Sequence, residues 1–196
     1  MEIELDWPKD ADERLRHEVH EVLHAVVAAG GAIGWQSPPD RADTDAWLEK
    51  VLALVRAGDA ALVVARVDGV VRATATWQRD PAIVFRHCGE VGKVTAHPSA
   101  RGLGLGRTAV AAIVDHARSA GLEVLYLGVR GNNLGAIGLY EELGFREWGR
   151  LPNSISVGDQ RFDSVRMHLP LGYPPHVELH GSNPGGNGSS PARRTP

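Results

Sequence analysis

The sequence predicts an α/β (α+β) protein in which one mixed β-sheet of about seven strands carries helices on both faces. Segments of strand length alternate with longer segments of helical periodicity, in the order β-α-α-β-β-β-α-β-α-β-β. The pair Asp68-Gly69, between two apolar segments, is typical of a hairpin turn. A glycine-rich stretch at residues 101–106 leads from a strand directly into a helix.

The hydrophobic periodicity and the turn residues indicate where each element lies along the chain. The predicted strands cover residues 2–7, 60–67, 70–78, 84–97, 123–129, 145–149 and 161–169. The predicted helices run from a cap at Asp10 or Asp12 to about residue 29, over residues 46–56 after a cap at Thr44 or Asp45, from the glycine-rich stretch to about residue 119, and from Asn132 or Asn133 to Gly144.

Three finer expectations follow from the same patterns. Alternation along residues 70–78 puts Val71 and Ala73 on one face of the sheet. Pro152 and Gly158 predict a polar loop at residues 151–160. From Gly172 on, the chain is rich in Pro, Gly, Ser and Asn, so we expect a folded domain at residues 1–171 and a flexible C-terminal tail at 172–196.

Composition argues against several classes of protein. The net charge is −3, with no block of like charge, so we expect no nucleic-acid partner. A single cysteine, Cys88, excludes an internal disulfide and a cysteine-rich metal site. No apolar run reaches the ~20 residues that span a bilayer, and the acidic first residues are unlike a signal peptide. We therefore expect a cytoplasmic protein without membrane contact, and a homodimer remains open.

Three histidines on the first predicted helix have the spacing of metal ligands. His17, His20 and His24 lie three and four residues apart, on the face opposite the apolar one. No HExxH-type motif accompanies them, so a solvated face is the favoured interpretation and we predict no metal site.

The glycine-rich stretch has the composition of an anion-binding turn. Pro98 disfavours helical angles at His97, so the preceding strand ends there. Gly102, Gly104 and Gly106 follow at alternate positions, where bare backbone amides and a helix N-terminus can receive a phosphate or pyrophosphate. The alternatives are a tight turn without a ligand and a dinucleotide-binding G-x-G-x-x-A motif. No acidic residue ends the next strand, which disfavours the dinucleotide alternative.

Two segments together resemble one enzyme superfamily. The order R-x-x-G-x-G from Arg101 to Gly106 is similar to the acetyl-CoA signature of the GCN5-related N-acetyltransferase (GNAT) superfamily. The segment NNLGAIGLYEELGF, ending at Phe145, resembles the second signature of that superfamily. The clear match covers roughly residues 91–150, and the rest of the chain fits only as a pattern of elements. The resemblance implies a GNAT-like sheet and an acetyl-CoA-dependent N-acetyltransferase of the bacterial small-molecule branch.

The resemblance also implies where acetyl-CoA binds. A bulge near the end of the strand before the glycine turn would splay that strand from residues 123–129, and the gap would admit the thioester. The pantetheine arm would bind the backbone of the splayed strand, and the amides of the turn would bind the pyrophosphate. The implied cofactor-binding residues are Val94, Thr95, Ala96, Arg101, Gly102, Leu103, Gly104, Leu105, Gly106, Arg107, Asn133 and Tyr140.

Two residues are implied as catalytic. By resemblance, Tyr140 protonates the leaving thiolate of CoA, and the alternative is an ordinary core tyrosine. Glu90 stands where one branch of the superfamily has its general base, although a water chain or a plain surface carboxylate is an open alternative. Cys88 and His97 are poorer candidates, because a lone cysteine on a strand is more often inert packing and His97 lies in a turn.

The acceptor is the least constrained part of the hypothesis. In the superfamily it is shaped by two loops, which here correspond to residues 35–45 and 151–160. The resemblance favours a small-molecule amine that attacks acetyl-CoA directly in a ternary complex. A protein acetyltransferase acting on lysine or an N-terminus, and a non-catalytic acyl-CoA-binding module, are the alternatives.

Overall fold

The computed structural model of the chain describes residues 1–172. Its strands are β1 Ile3–Asp6, β2 Ala60–Val67, β3 Val70–Arg79, β4 Cys88–Ala96, β5 Val124–Arg130, β6 Arg146–Val157 and β7 Gln160–Pro170. Its α-helices are α1 Glu13–Ala28, α2 Arg41–Ala57, α3 Leu105–Ser119 and α4 Leu134–Glu142. This order confirms the predicted succession of strands and helices.

The seven strands form one mixed sheet in the order β1-β2-β3-β4-β5-β7-β6. All neighbouring pairs are antiparallel except β4 and β5, which run parallel because α3 crosses over between them. The sheet order therefore places β4 and β5 side by side at the centre, with hairpin-connected strands on either flank.

Helices cover both faces of this sheet, as the sequence predicts. Leu62 and Val64 of β2 pack in one core cluster with residues of α1 and α2. Ala61 and Val63, which point the opposite way, pack in a second cluster with residues of α3 and with Tyr140 of α4. The α1–α2 side and the α3–α4 side of the sheet are used below in this sense.

Two predicted boundaries are wrong for local reasons. Helix α2 begins at Arg41 rather than at residue 46, because the Asp40 side chain caps it by accepting a hydrogen bond of 2.9 Å from the Asp43 amide. The predicted strand at 84–97 starts only at Cys88, because Ile83–Phe85 forms a short 3₁₀ turn.

The predicted polar loop at residues 151–160 is also wrong. Strand β6 continues through it to Val157 and pairs with β7 in a long hairpin. An irregularity between Leu151 and Ile155 takes up Pro152. Because β6 is the edge strand of the sheet, a proline there costs no hydrogen bond to a further strand.

The alternation predicted for β3 fails at its first residues. A register shift between Ala65 and Arg66 of β2 inserts an extra residue in β3 opposite it. Val71 consequently packs with α1 and α2, whereas Ala73 packs on the α3 side.

The predicted C-terminal tail lies, from residue 173 on, outside the described residues. Within residues 1–172, no helix is both long enough and apolar enough to cross a membrane.

Candidate active site

The central feature of the sheet is a split between β4 and β5. These strands pair only from Cys88 to Glu90 on β4, opposite Val124 to Tyr126 on β5. Beyond Glu90, β4 has no partner on β5, although both strands continue for several residues. The split opens into a cleft of about 680 Å³, to which both faces of the sheet contribute residues.

A β-bulge in β4 accompanies the split. Thr74 of β3 pairs with Thr95, but Thr76 pairs with Gly92, so β4 contains one extra residue. Lys93 lies at this bulge with φ 45°, a left-handed angle that costs a non-glycine residue roughly 1–3 kcal/mol. The resemblance implied a bulge near this position, and the structure contains one.

Two hydroxyls of β3 hold the bulge from the other side. The Thr74 hydroxyl donates to the Lys93 carbonyl over 2.8 Å and lies 2.7 Å from the Thr95 hydroxyl. The Thr76 hydroxyl donates to the Gly92 carbonyl over 3.0 Å. These threonines were not identified from sequence, where they read as ordinary strand residues. The only signal was that both are polar residues within the apolar sequence Ala73, Ala75 and Trp77.

The glycine-rich stretch forms an open turn at the end of β4. Gly102 and Gly104 have φ of 83° and 70°, angles that favour glycine, and a Cβ at either position would touch nothing within 4 Å. The first hydrogen bond of α3 runs from the Thr108 amide to the Gly104 carbonyl over 3.0 Å. In the described part of the chain, the amides from residue 102 to residue 107 donate to no protein acceptor, so they suit an anion.

The side chains of this turn have a different role from its backbone amides. Leu103 and Leu105 pack into a core cluster with Ala65, Ala73 and Ala100, so only their backbone is available to a ligand. Gly106 is helical, and its Cβ would lie 3.6 Å from Leu139 of α4.

The two predicted arginines of the turn differ in their surroundings. Arg107 is exposed and lies 3.8 Å from Glu142. Arg101 lines a smaller cavity of about 290 Å³ next to the cleft, together with Arg130 and Asn133. Arg101 therefore lies beside a cavity that can hold a ligand, whereas Arg107 lies on the protein surface at the start of α3.

The start of α4 and its one buried tyrosine line the cleft on the α3–α4 side. Asn133 caps α4, with its side chain accepting a hydrogen bond of 3.3 Å from the Ala136 amide. Tyr140 is 7% exposed and its ring lies 5.7 Å from that of Phe145. Among the described residues its hydroxyl makes no hydrogen bond, and its oxygen is not fully enclosed. Burial raises the pKa of Tyr140 to about 12, so the hydroxyl keeps its proton at neutral pH.

The predicted cofactor residues of β4 also line the cleft. Val94, Thr95 and Ala96 all border it. The Thr95 side chain is buried and bonded to Thr74, so its backbone is the part that faces the cleft. The structure thus brings these three residues together with Asn133, Tyr140 and Glu90, and places the turn of residues 102–107 just beyond them.

Glu90 reaches the cleft from the α1–α2 side. Its neighbour Val91 packs on the α3 side, so by alternation the carboxylate points the other way. The carboxylate is exposed and lies 4.0 Å from the Arg166 guanidinium of β7. That guanidinium lies over Gly128 of β5, where a Cβ would approach it to 3.0 Å. Gly128 therefore leaves room for Arg166 to extend toward Glu90.

A lysine and two tryptophans that the sequence did not single out form the rim of this side. The Lys93 ammonium lies 4.2 Å from the centre of the Trp35 ring and 5.9 Å from that of Trp47. The same ammonium donates to the Ile33 carbonyl over 2.5 Å. These contacts hold the loop between α1 and α2 against the bulge of β4.

The weaker candidates from the sequence do not reach the cleft. Cys88 is half-buried, and burial raises the pKa of its thiol. The His97 ring lies 2.7 Å from the Ser99 hydroxyl and accepts from the Ser99 amide, so it shapes the turn. Neither residue borders the cleft.

The histidines of α1 are partly structural rather than solvated. His20 lies 3.0 Å from the Thr44 hydroxyl and His24 lies 2.9 Å from the Pro39 carbonyl. Both contacts tie α1 to the start of α2. Across residues 1–172, no three His, Cys, Asp or Glu side chains are grouped as metal ligands.

Comparison with known proteins connects this geometry to one family. The family model described as "Acetyltransferase (GNAT) family" matches residues 19–145. The chain is 31% identical over 156 residues to the L-amino acid N-acyltransferase MnaT of Escherichia coli, which covers 78% of this chain and 87% of the relative. It is 36% identical over 78 residues to the ribosomal protein bS18-alanine N-acetyltransferase of E. coli, and that match spans 40% of this chain and only about half, 53%, of the relative.

One solved structure makes the likeness of fold concrete. A GNAT superfamily phosphinothricin acetyltransferase from Sinorhizobium meliloti, in complex with acetyl-CoA, superposes with a TM-score of 0.74 at 20% identity. The superposition covers 93% of this chain and 98% of that chain. The predicted GNAT-like sheet is confirmed by this likeness of fold.

Proposed function

Because this chain belongs to the acetyltransferase (GNAT) family, we propose that it transfers the acetyl group of acetyl-CoA to the amino group of a small molecule. The amine attacks the thioester directly while both substrates are bound. The observation that carries this proposal is the cleft at the split of β4 and β5, which has Tyr140 on one side and Glu90 on the other.

Acetyl-CoA fits the free backbone groups of this site. The amides of residues 102–107 have no acceptor in the described part of the protein and lie at the N-terminus of α3, where a pyrophosphate gains from both hydrogen bonds and the helix dipole. The edge of β4 that faces β5 is unpaired from Val91 to Ala96, so it can bind the amides of the pantetheine arm as a further strand would. Acetyl-CoA is thus the acyl donor in this proposal.

The backbone of the bulge supplies the electrophilic help. As the amine attacks, negative charge develops on the thioester oxygen, and a fixed N–H donor aimed at that oxygen lowers the barrier. The bulge at Lys93 turns the backbone of β4 away from its ladder with β3, and the hydroxyls of Thr74 and Thr76 hold it there. In this proposal the donor is a backbone N–H of the bulged segment, whose position these hydroxyls fix.

Tyr140 acts on the leaving group. Within residues 1–172 its hydroxyl makes no hydrogen bond, and Tyr140 borders the cleft, so the hydroxyl can donate to the CoA sulfur as the C–S bond breaks. A phenol with a pKa of about 12 is a weaker acid than a thiol of pKa about 8.5, so the hydroxyl stabilises the thiolate chiefly as a hydrogen-bond donor.

Glu90 acts on the acceptor. An ammonium ion has no lone pair for attack, so it must lose a proton before the reaction, and a carboxylate can accept that proton directly or through a water molecule. Glu90 lies on the side of the cleft opposite the Tyr140 helix and is exposed there. The Arg166 guanidinium lies 4.0 Å from this carboxylate.

The character of the cleft favours a small acceptor. Its volume of about 680 Å³ lies within the range of small-molecule sites, and the loop at Ile33 and Gly34 borders it. The name of MnaT, which matches most of this chain, describes an acyltransferase that acts on L-amino acids. The bS18-alanine enzyme acts on a ribosomal protein, so a protein N-terminus is the second candidate acceptor.

A free-thiol release assay tests the proposal. Purified protein is mixed with acetyl-CoA and a panel of L-amino acids, aliphatic amines, polyamines and an N-terminal alanine peptide. We expect acetyl-CoA, but not NADH, to raise the melting temperature, and at least one small amine to release CoA faster than water does. Release with the peptide alone would reassign the acceptor, and no stabilisation by acetyl-CoA would refute the proposed function.

A further inference from the structure

Lys93 is a half-buried cation that the proposed chemistry does not use. It borders the cleft, and its backbone is held at φ 45° by the bulge of β4. Its side chain is directed toward the α1–α2 side, where the rings of Trp35 and Trp47 lie 4.2 and 5.9 Å from the ammonium. A strained backbone angle therefore places a positive charge at a defined point of the cleft wall.

This charge has no counter-ion in the described part of the protein. No carboxylate among residues 1–172 lies within 4.0 Å of the Lys93 ammonium, and burial is the sole cause of its lowered pKa. A charge that is partly removed from water is usually stabilised by an opposite charge nearby, because desolvation disfavours the charged form. The ring faces and the Ile33 carbonyl compensate part of that cost, but the carbonyl uses only one of the three N–H donors of the ammonium.

The surroundings add to the positive charge. The charged residues that border the cleft are Glu90, Lys93, Arg130 and Arg166. The Arg130 guanidinium lies 4.8 Å from the Phe162 ring and donates to the Gly30 carbonyl over 3.0 Å. Arg166 is 4.0 Å from Glu90. Three cations therefore face one carboxylate, and such a cleft attracts anionic groups and disfavours polycations.

We propose that Lys93 binds an anionic group of the acceptor, so that the substrate is a small amine carrying a carboxylate or a similar acid. This proposal rests on the proposed function, and it names the class of acceptor for the same cleft. The anion supplies the counter-ion that the half-buried ammonium lacks among residues 1–172. The amino group of the acceptor is then directed toward Glu90, which lies on the same strand and the same side of the cleft.

Matched ligands separate this role from simple packing. The probes are L-methionine with its carboxylate-free counterpart 3-(methylsulfanyl)propylamine, and 5-aminopentanoate with pentylamine. Binding of each is measured by calorimetry to the full chain saturated with CoA, so no turnover is required. We expect the wild type to bind at least one carboxylate member more tightly than its partner by about tenfold to hundredfold, the range for a hydrogen bond between charged groups.

Variants assign that preference to the lysine. Lys93→Met keeps the length of the side chain and removes the charge, and we expect it to abolish the preference while the amine-only probe binds as before. Lys93→Arg keeps the charge and should retain most of the preference. Lys50→Met, at an exposed position of α2 away from the cleft, should match the wild type. A CoA titration of each variant should give the wild-type affinity.

Three results would overturn the proposal. The first is a wild type that shows no preference for either carboxylate, including no measurable binding of any probe at millimolar concentration. The second is a Lys93→Met variant that keeps the preference. The third is an equal loss for both members of a pair, because Lys93 would then only hold the loop against β4. Failure of the proposed function is distinguishable from all three, since it would appear as absent CoA binding by the wild type.

Discussion

Replacing Tyr140 with phenylalanine removes one hydroxyl and keeps the ring that packs against Phe145. Because this hydroxyl has no protein partner among the described residues, its loss leaves no polar group unpaired. We expect the free energy of unfolding to change by less than about 0.5 kcal/mol. We expect turnover to fall roughly a hundredfold, equivalent to about 2.7 kcal/mol of transition-state stabilisation. Acetyl-CoA affinity should change little.

Tyr126 provides a matched control. The pKa of Tyr126 is also raised to about 12, by burial and by the hydrogen bond that its hydroxyl donates to Asp80 over 3.1 Å. Its side chain does not border the cleft. Tyr126→Phe should therefore cost about 1 kcal/mol of stability, through the lost bond to a carboxylate, and leave turnover unchanged.

The assay is CoA release at saturating amine, followed from neutral to alkaline pH. Only the protonated phenol can donate, and a pKa of about 12 keeps Tyr140 protonated throughout this range. The wild-type rate should consequently rise as the amine deprotonates and show no decline from Tyr140 below about pH 11. An unchanged rate for Tyr140→Phe, measured where chemistry limits turnover, would contradict the assigned role. An equal loss in Tyr126→Phe would do the same.

Further predictions concern the turn, the bulge, the base and the acid range. Gly104→Val should lose CoA binding in calorimetry. The control is Gly121→Val at the other end of α3, where φ is 75° compared with 70° at Gly104, and this variant should lose only about 1–2 kcal/mol of stability. Equal CoA affinities of the two variants would refute the anion site. Thr74→Val should cost about 1–3 kcal/mol in urea unfolding, because the Lys93 carbonyl loses its donor and stays buried, and a change under 0.5 kcal/mol would show that the bulge stands without it. Glu90→Gln should slow CoA release, with partial recovery at high pH where more amine is neutral; a constant fold-loss across pH would remove Glu90 as the base. Burial lowers the pKa of His116 from 6.5, so the imidazole takes up a proton in the unfolded chain before it does in the folded protein as the pH falls. The free energy of unfolding should therefore decrease below about pH 6.5, and it should decrease less steeply with pH in His116→Gln.

Local sequence determined the elements whose signals are contained in a few adjacent residues. The Asp68-Gly69 turn, the helix after the glycine stretch and the strand at residues 124–130 lie within two residues of their predicted bounds. The same holds for the shape of the glycine-rich turn, because the left-handed angles at positions 102 and 104 favour glycine, while its binding of an anion stays a prediction. The family signatures also depend on short segments, and the family they predicted is confirmed.

The expectations that failed depended on pairing between distant segments. Pro152 is a turn signal in isolation, but β7 pairs with the flanking residues and keeps the segment in an edge strand. Val71 changes face because of a register shift whose position is set by β2. Neither effect can be predicted from the local residues alone, since strand register is decided by the whole set of side chains on a buried face.

The site divides in the same way. The sequence by itself predicted the residues of the proposed cofactor half, because the turn, Asn133 and Tyr140 lie in contiguous motifs. Only the tertiary structure decided the other half, where Lys93 meets Trp35 and Ile33 from a loop some sixty residues earlier in the chain, and Arg166 reaches over Gly128. The partial burial of the Lys93 charge between these groups depends on its three-dimensional surroundings, which sequence spacing does not indicate.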